Sequence, residues 1–160
     1  MKNWKRTGIL LLAVVACAAC GHPAADANPP EFVLQPANPY EEAFAKEDGV
    51  RRITWGGWIK TLTPGDGPSP TADSVVRVDY KGTLTDGTEF DSSYKRGRAA
   101  VFSLRNVVPC WTNGVPMMKV GEKAKLVCPS STAYGDKGMP PIVPGGATLT
   151  FEIELHEITR

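Results

Sequence analysis

Phe90 and Asp91 stand side by side just after Asp86-Gly87, a tight-turn signal between two extended, partly alternating runs. Residues at such a turn must tolerate positive φ, which Asp and Gly do at little cost. An apolar ring beside one carboxylate suggests a pocket more than a hydrolytic centre. The chain concentrates the same kind of surface elsewhere, in Tyr80, Phe102, Val107, Val108, Trp111, Tyr134, Ile142, Val143 and Phe151. A concavity lined this way binds an apolar ring. Each residue also has a plainer reading. Trp111, Val107 and Phe151 suit the core of any small sheet-and-helix domain, and Asp91 can cap the amides of Ser92 and Ser93. Tyr134, beside the turn residue Gly135, is placed to expose its hydroxyl. Other chemistries find no cluster. His22 lies in an Ala/Pro-rich stretch and His156 on the polar side of a strand pattern, so no triad or His-based metal site can be built. No phosphate-cradling glycine loop is present, and neither metal nor cofactor is expected.

The elements that must position these groups are closely spaced short strands. Val76, Val78 and Tyr80 alternate with Arg77 and Asp79, and the Asp86-Gly87 hairpin follows. Further strands are expected over residues 100–104, 123–128 and 147–158. In the last, Leu149, Phe151, Ile153 and Leu155 fall on one side and Thr150, Glu152, Glu154 and His156 on the other, the pattern of a half-buried antiparallel strand. Residues 52–62 suggest one strand bent or bulged at Gly56-Gly57. One helix of consequence fits, over residues 110–117. Pro109 stands where a missing N–H costs nothing, Trp111, Val115 and Met118 share a face, and Pro116 and Gly121 end it. The fold class is therefore α+β, a curved antiparallel β-sheet of about five strands wrapped around one short α-helix.

The N-terminal part has a different composition. Lys2, Lys5 and Arg6 precede the apolar run Ile9-Leu10-Leu11-Leu12-Ala13-Val14-Val15-Ala16, too short to span a bilayer and fitting a cleaved signal peptide over residues 1–19. Cys17-Ala18-Ala19-Cys20-Gly21 resembles a bacterial lipoprotein processing box, with Cys20 as the lipidation site and outer-membrane tethering as its consequence. The alternative is an ordinary signal cut by the general peptidase, leaving a soluble periplasmic product. Residues 20–48 read as a lipidated N-terminus, a flexible Ala/Pro/Asn/Asp tether and a short helix near residues 40–47. That helix has only the i, i+4 pair Tyr40 and Phe44 to hold it and is expected to fray. Residues 49–160 form the remaining domain, expected to be monomeric.

The full chain of 160 residues carries 18 Lys and Arg against 17 Asp and Glu. Removing residues 1–19 takes away three cations and no anions, so no basic face remains for nucleic acid. With Cys17 removed and Cys20 carrying lipid, Cys110 and Cys128 remain as an even pair in an exported protein, where disulfides persist. They are expected to be bonded; two buried free thiols are the other possibility.

Between residues 49 and 158 several separate motifs agree in order and spacing with one family. They are Asp79-Tyr80-Lys81-Gly82 through Phe90-Asp91-Ser92-Ser93, Val107-Val108-Pro109-Cys110-Trp111, Met118-Lys119-Val120-Gly121-Glu122-Lys123-Ala124, Ala133-Tyr134-Gly135, and Ile142-Val143-Pro144 ahead of Ala147-Thr148-Leu149. Each is weak alone, but together the segment resembles the FKBP-type peptidyl-prolyl isomerases. The resemblance implies a proline pocket floored by Trp111 and walled by Tyr80, Phe90, Val107, Val108, Ile142, Val143 and Phe151, with Phe102 supplying a further wall. It makes Asp91 and the Tyr134 hydroxyl the polar edge, Tyr134 donating to a carbonyl of the bound peptide. Tyr80, Phe90, Asp91 and Tyr134 are the implied catalytic set. Implied partners are proline-containing exported polypeptides and macrolide inhibitors, with contact to a membrane through the lipid only. Ala100, Cys110 and Met139 depart from the family pattern and bear on substrate preference and macrolide affinity. The same fold can also serve as a non-catalytic peptide-binding module, since function resides in the site. A chaperone is a weaker possibility, because the loop after Gly135 is short where some relatives carry a flap domain.

Overall fold

The computed structural model describes residues 38–160. The signal peptide, Cys20 and most of the tether lie outside the described residues. Helix α1 (Pro39–Ala45) is followed by strands β1 (Val50–Arg52), β2 (Trp58–Thr63), β3 (Val75–Leu84) and β4 (Glu89–Ser92), then the single-turn helix α2 (Ser93–Arg96) and β5 (Ala100–Ser103). Helix α3 (Pro109–Gly114), β6 (Lys123–Cys128) and β7 (Leu149–Ile158) complete the chain. The strands form one antiparallel sheet in the order β1-β2-β6-β7-β3-β4, with β5 also paired to β3.

Seven strands appear where about five were expected, and two local causes account for the difference. Trp55, Gly56 and Gly57 all have positive φ, so the glycine pair does not bend one strand but turns the chain back. The result is a hairpin in which Arg52 pairs with Trp58 and Val50 with Lys60. The edge beside β3 is likewise divided, because α2 interrupts it and leaves β4 against Lys81–Thr83 and β5 against Val75–Val78.

One face of the sheet carries the core. Ile59, Val78, Leu126, Leu149, Phe151, Ile153 and Leu155 are buried there with Cys110, Trp111 and Val115 from α3 and the 3-10 turn that follows it. Burying each such side chain contributes roughly 1.5–3 kcal/mol. Helix α3 is only six residues long, but its start is fixed by Pro109 and by Cys110, which is bonded to Cys128 at the end of β6 with a Cα–Cα distance of 5.8 Å. The cross-link ties the helix to the sheet.

Helix α1 is a docked element rather than a fraying one. Asn38 caps it, its Oδ1 accepting the Glu41 N–H at 3.0 Å. Asn38 Nδ2 also donates to Thr148 Oγ1 at 2.6 Å, and the Tyr40 hydroxyl lies 3.1 Å from Thr150 Oγ1. Phe44 is buried, and Lys125 Nζ sits 5.1 Å from its ring centroid. The short helix expected near residues 40–47, with Asn38 and Pro39 before it, is therefore held by contacts to the loop before β7 and to β6 and β7.

Candidate active site

The site grows from β3 and the strand that returns along it. Asp86-Gly87 turns the chain, with Leu84 N–H donating to Thr88 O at 2.8 Å and Asp86 Oδ1 accepting the Thr88 N–H at 2.8 Å. Along β4, Asp91 lies opposite Gly82 and Glu89 opposite Thr83, so Phe90 is the extra residue of a bulge. A bulge re-aims a side chain, and here the Phe90 ring lies across Gly82. A Cβ on Gly82 would stand 2.6 Å from Phe90 Cζ and 3.1 Å from Phe151 Cε1, so glycine is required for the ring to settle there.

Phe90 meets Phe151 at 5.6 Å between centroids, Phe151 meets Trp111 at 5.3 Å, and Trp111 meets both Tyr80, at 5.4 Å, and Phe102, at 5.5 Å. All these pairs are edge-to-face, the arrangement favoured by ring quadrupoles, each contributing about 0.5–1.5 kcal/mol beyond burial. The rings enclose a cavity of about 380 Å³ completed by Val107, Val108, Asp91, Tyr134 and Asn106. Trp111 is buried, and its Nε1 has no hydrogen-bond partner among the described residues. The cavity thus has an aromatic floor.

Its polar edge is a charged cluster. Asp91 accepts from the Tyr80 hydroxyl and from Arg96 Nη1, and its Oδ1 also takes the Ser92 N–H at 2.8 Å. Arg96 Nη2 donates to the Tyr80 hydroxyl at 2.7 Å, closing the triangle. Burial pushes the Asp91 carboxyl up, but the hydrogen bonds from Tyr80 and Arg96 and the Arg96 charge outweigh it and hold Asp91 below the usual carboxylate range. Burial and the bond to Asp91 push the Tyr80 hydroxyl up to about 12. Burial and the nearby Asp91 charge raise Tyr134 as well. At neutral pH the edge is thus an ionised Asp91 held by two donors, beside a neutral Tyr134. The Tyr134 hydroxyl has no partner among the described residues and is available as a donor.

A second polar network supports the β3–β4 junction from behind. Ser93 Oγ accepts the Tyr80 N–H at 2.9 Å and donates to Asp79 Oδ1 at 2.6 Å. The other oxygen of Asp79 meets His156 Nε2 at 2.7 Å. The hydrogen bonds from Ser93 and then His156 keep the Asp79 carboxyl below its ordinary range. His156 reaches it because β7 bulges there, Glu157 pairing with Arg77 and Leu155 with Val78.

Of the residues expected at the site, Tyr80, Phe90, Asp91, Phe102, Val107, Val108, Trp111, Tyr134 and Phe151 are brought together around the cavity. Ile142 and Val143 are not. Met139 and Val143 bond to each other through both backbone groups, at 2.8 and 2.9 Å, closing a tight turn whose adjacent residues face opposite ways. Val143 is turned into the core, and Ile142 is 51% exposed to solvent outside the cavity lining. Asn106 and Arg96 were not foreseen. Asn106 ends a 3-10 turn that sequence patterning does not reveal. Arg96 had one weak signal, a cation five residues beyond Asp91 across a single helical turn.

A sheet packed on one short helix, with a ring-lined cavity and a Tyr–Asp–Arg edge, is an arrangement with room for a small apolar ring and polar groups at its rim. Residues 67–156 match the family of FKBP-type peptidyl-prolyl cis-trans isomerases, and the chain belongs to that family. It is 45% identical over 119 residues to the FKBP-type peptidyl-prolyl cis-trans isomerase FkpA of Escherichia coli K12, covering 74% of this chain and 44% of that protein. It is 45% identical over 103 residues to FK506-binding protein 1A of Emericella nidulans, covering 62% of this chain and 95% of that one. The crystal structure of FkpA from Escherichia coli aligns with a TM-score of 0.71 at 44% identity, over 74% of this chain and 55% of that one. The chain thus spans less than half the length of the FkpA relative it matches.

Proposed function

We propose that this protein accelerates cis–trans rotation about Xaa-Pro bonds in extended segments of exported polypeptides at the cell envelope. The observation that carries the reading is the cavity of about 380 Å³ whose floor is built of aromatic edges and whose rim holds the Tyr134 hydroxyl, without a partner among the described residues. A prolyl ring suits the floor, and the amide that follows or precedes it lies at the rim.

An Xaa-Pro bond must pass a twisted state about 18–20 kcal/mol up, in which amide resonance is lost. Withdrawing the amide from water among Phe90, Phe102, Trp111 and Phe151 disfavours the planar, charge-separated form. Only interactions stronger in the twisted state accelerate rotation. Tyr134 serves by donating to a carbonyl of the peptide and fixing which part of the chain may turn. Asp91, held by Tyr80 and Arg96, places a fixed negative charge beside the cavity. No proton transfer is required, and none of the groups at the edge is poised near neutrality. Uncatalysed isomerisation takes about 10–100 s, slow enough to limit folding of exported chains.

Anchoring to the outer membrane through a lipid on Cys20 is part of this reading and rests on the leader-like run and the small residues before that cysteine. Incorporation of labelled fatty acid into the wild type and its absence in Cys20→Ser tests it. The activity is tested by a protease-coupled assay on a peptide with one Xaa-Pro bond, with and without a macrolide inhibitor. Macrolide-sensitive acceleration is expected. Peptide binding with no acceleration would instead make the protein a non-catalytic binding module.

A further inference from the structure

A second concavity, of about 330 Å³, is lined by Arg96, Arg98, Ala99, Ala100 and Val101. The two share structure on both sides. Arg96 lines the second cleft while its guanidinium holds Asp91 and the Tyr80 hydroxyl of the first. Strand β5 continues from Ala100 in the second cleft to Phe102 in the first. At about 3.3 Å per residue, two strand positions span some 7 Å, the length of two residues of an extended peptide. Among the described residues strand β5 pairs with β3 and with no other strand, so its outer edge offers unpaired backbone groups beside the cleft.

The cleft's charge is unbalanced. Lys95 pairs with Glu89 at 3.0 Å, Arg105 with Asp73 at 2.8 Å, and Arg96 with Asp91. Among the described residues Arg98 has neither a carboxylate nor a hydrogen-bond partner, and no acidic residue lines the cleft. A free guanidinium presents a rigid fork of donors suited to a carboxylate. Val101, 58% exposed, adds an apolar wall for the stem of such a side chain.

We infer that this cleft is a subsite for the substrate chain flanking the proline, and that Arg98 makes the protein prefer clients carrying an Asp or Glu two or three residues from the isomerised bond. The inference rests on the proline cavity described above and names a substrate class for it. The occupant is the same polypeptide whose proline fills the first cavity, because strand β5 lines both, Phe102 the first and Ala100 the second, and Arg96 of the second bonds to Asp91 of the first.

The test uses the full chain and peptides with one central Xaa-Pro bond, in which a single Glu, or Gln in its place, is walked from three residues before the proline to three after it. Affinity is read by fluorescence anisotropy of the labelled peptide and turnover by exchange NMR. At one position the Glu peptide binds about two- to fivefold more tightly than its Gln partner at low salt, as an exposed ion pair allows, and the advantage shrinks at high ionic strength. Arg98→Gln abolishes the advantage and leaves turnover of the Gln peptides unchanged. Equal binding of Glu and Gln peptides at every position, or an advantage that survives Arg98→Gln, overturns the subsite. The two readouts keep the claims apart: Glu preference in binding without turnover sinks the isomerase reading and keeps the cleft, while turnover without Glu preference sinks the cleft alone. Peptides that neither bind nor turn over sink both.

Discussion

Tyr80→Phe isolates the polar edge from the ring cluster. The substitution keeps the aromatic ring, which packs edge-on against Trp111 at 5.4 Å and Phe102 at 5.6 Å. It removes a donor to Asp91 and an acceptor for Arg96. Hydrogen bonds to charged groups contribute about 1.5–3 kcal/mol when well buried. The Asp91 and Arg96 side chains are each 41% exposed, so water replaces part of what is lost and about 1 kcal/mol is the expected cost at neutral pH. Urea unfolding should show an unchanged slope and a midpoint lower by about 0.5 M. The loss depends on pH in a defined sense. Because Asp91 is held below its ordinary range, its contribution is present above the unfolded value and disappears as pH falls through the folded one. The two proteins should therefore converge in acid. At the other extreme, Tyr80 is raised to about 12, so its contribution is complete below the ordinary tyrosine value and is lost as pH rises through the folded one. Tyr134 is raised as well and is kept in the variant, so both proteins should lose stability on that alkaline limb and the wild type should lose more. Equal stability at neutral pH, or a deficit that does not change with pH, would show that the Tyr80–Asp91–Arg96 triangle contributes nothing.

Three further outcomes follow from other parts of the molecule. Reducing the Cys110–Cys128 bond, or replacing both cysteines by Ala, removes a cross-link between residues 18 apart and should cost about 3 kcal/mol in chemical unfolding, with thiol titration of unreduced unfolded protein finding neither sulfur free. Glu41 is buried, and burial pushes its carboxyl up despite hydrogen bonds from Thr148 and Asn38. Its contribution to folding is thus greatest below the ordinary Glu range and is lost as pH rises through the folded value. Glu41→Gln should equal or exceed the wild type in stability at neutral pH and lose any advantage in acid; a Gln variant less stable than the wild type at neutral pH would contradict this. Gly82→Ala must displace the Phe90 ring, since a Cβ would stand 2.6 Å from it, and should lower peptide affinity at least tenfold while the protein remains folded by circular dichroism.

What could be read from sequence was whatever depends on neighbours along the chain. Leu149, Phe151, Ile153 and Leu155 announce β7 because one face of that strand is buried and the period is two. Asp86-Gly87 announces its hairpin because the turn chemistry is local. The glycine pair at 56 and 57 misled, because positive φ serves a bulge and a turn equally, and the left-handed Trp55 gave no sign. Helix α1 looked too short to hold because its stabilising partners, Thr148 and Thr150, lie about 110 residues away. Arg96 was hidden for a related reason: its value comes from meeting Asp91 and Tyr80 together, which only the α2 turn and the β3–β4 pairing arrange. Ile142 and Val143 both lie off the cavity, Val143 in the core and Ile142 exposed, because the turn closed between Met139 and Val143 sets their directions, and apolar type alone does not announce that turn.

On the proposed function, the ring-lined cavity grips a prolyl ring and eases rotation about its amide. Exchange NMR of a peptide with one Xaa-Pro bond, at catalytic concentrations of wild type, Phe90→Ala and Tyr134→Ala, measures this directly. Rapid cis–trans exchange with the wild type and its loss by tenfold or more in both variants, each still folded, is the predicted result. Exchange no faster than in buffer with the wild type, or equally fast with all three proteins, would contradict it.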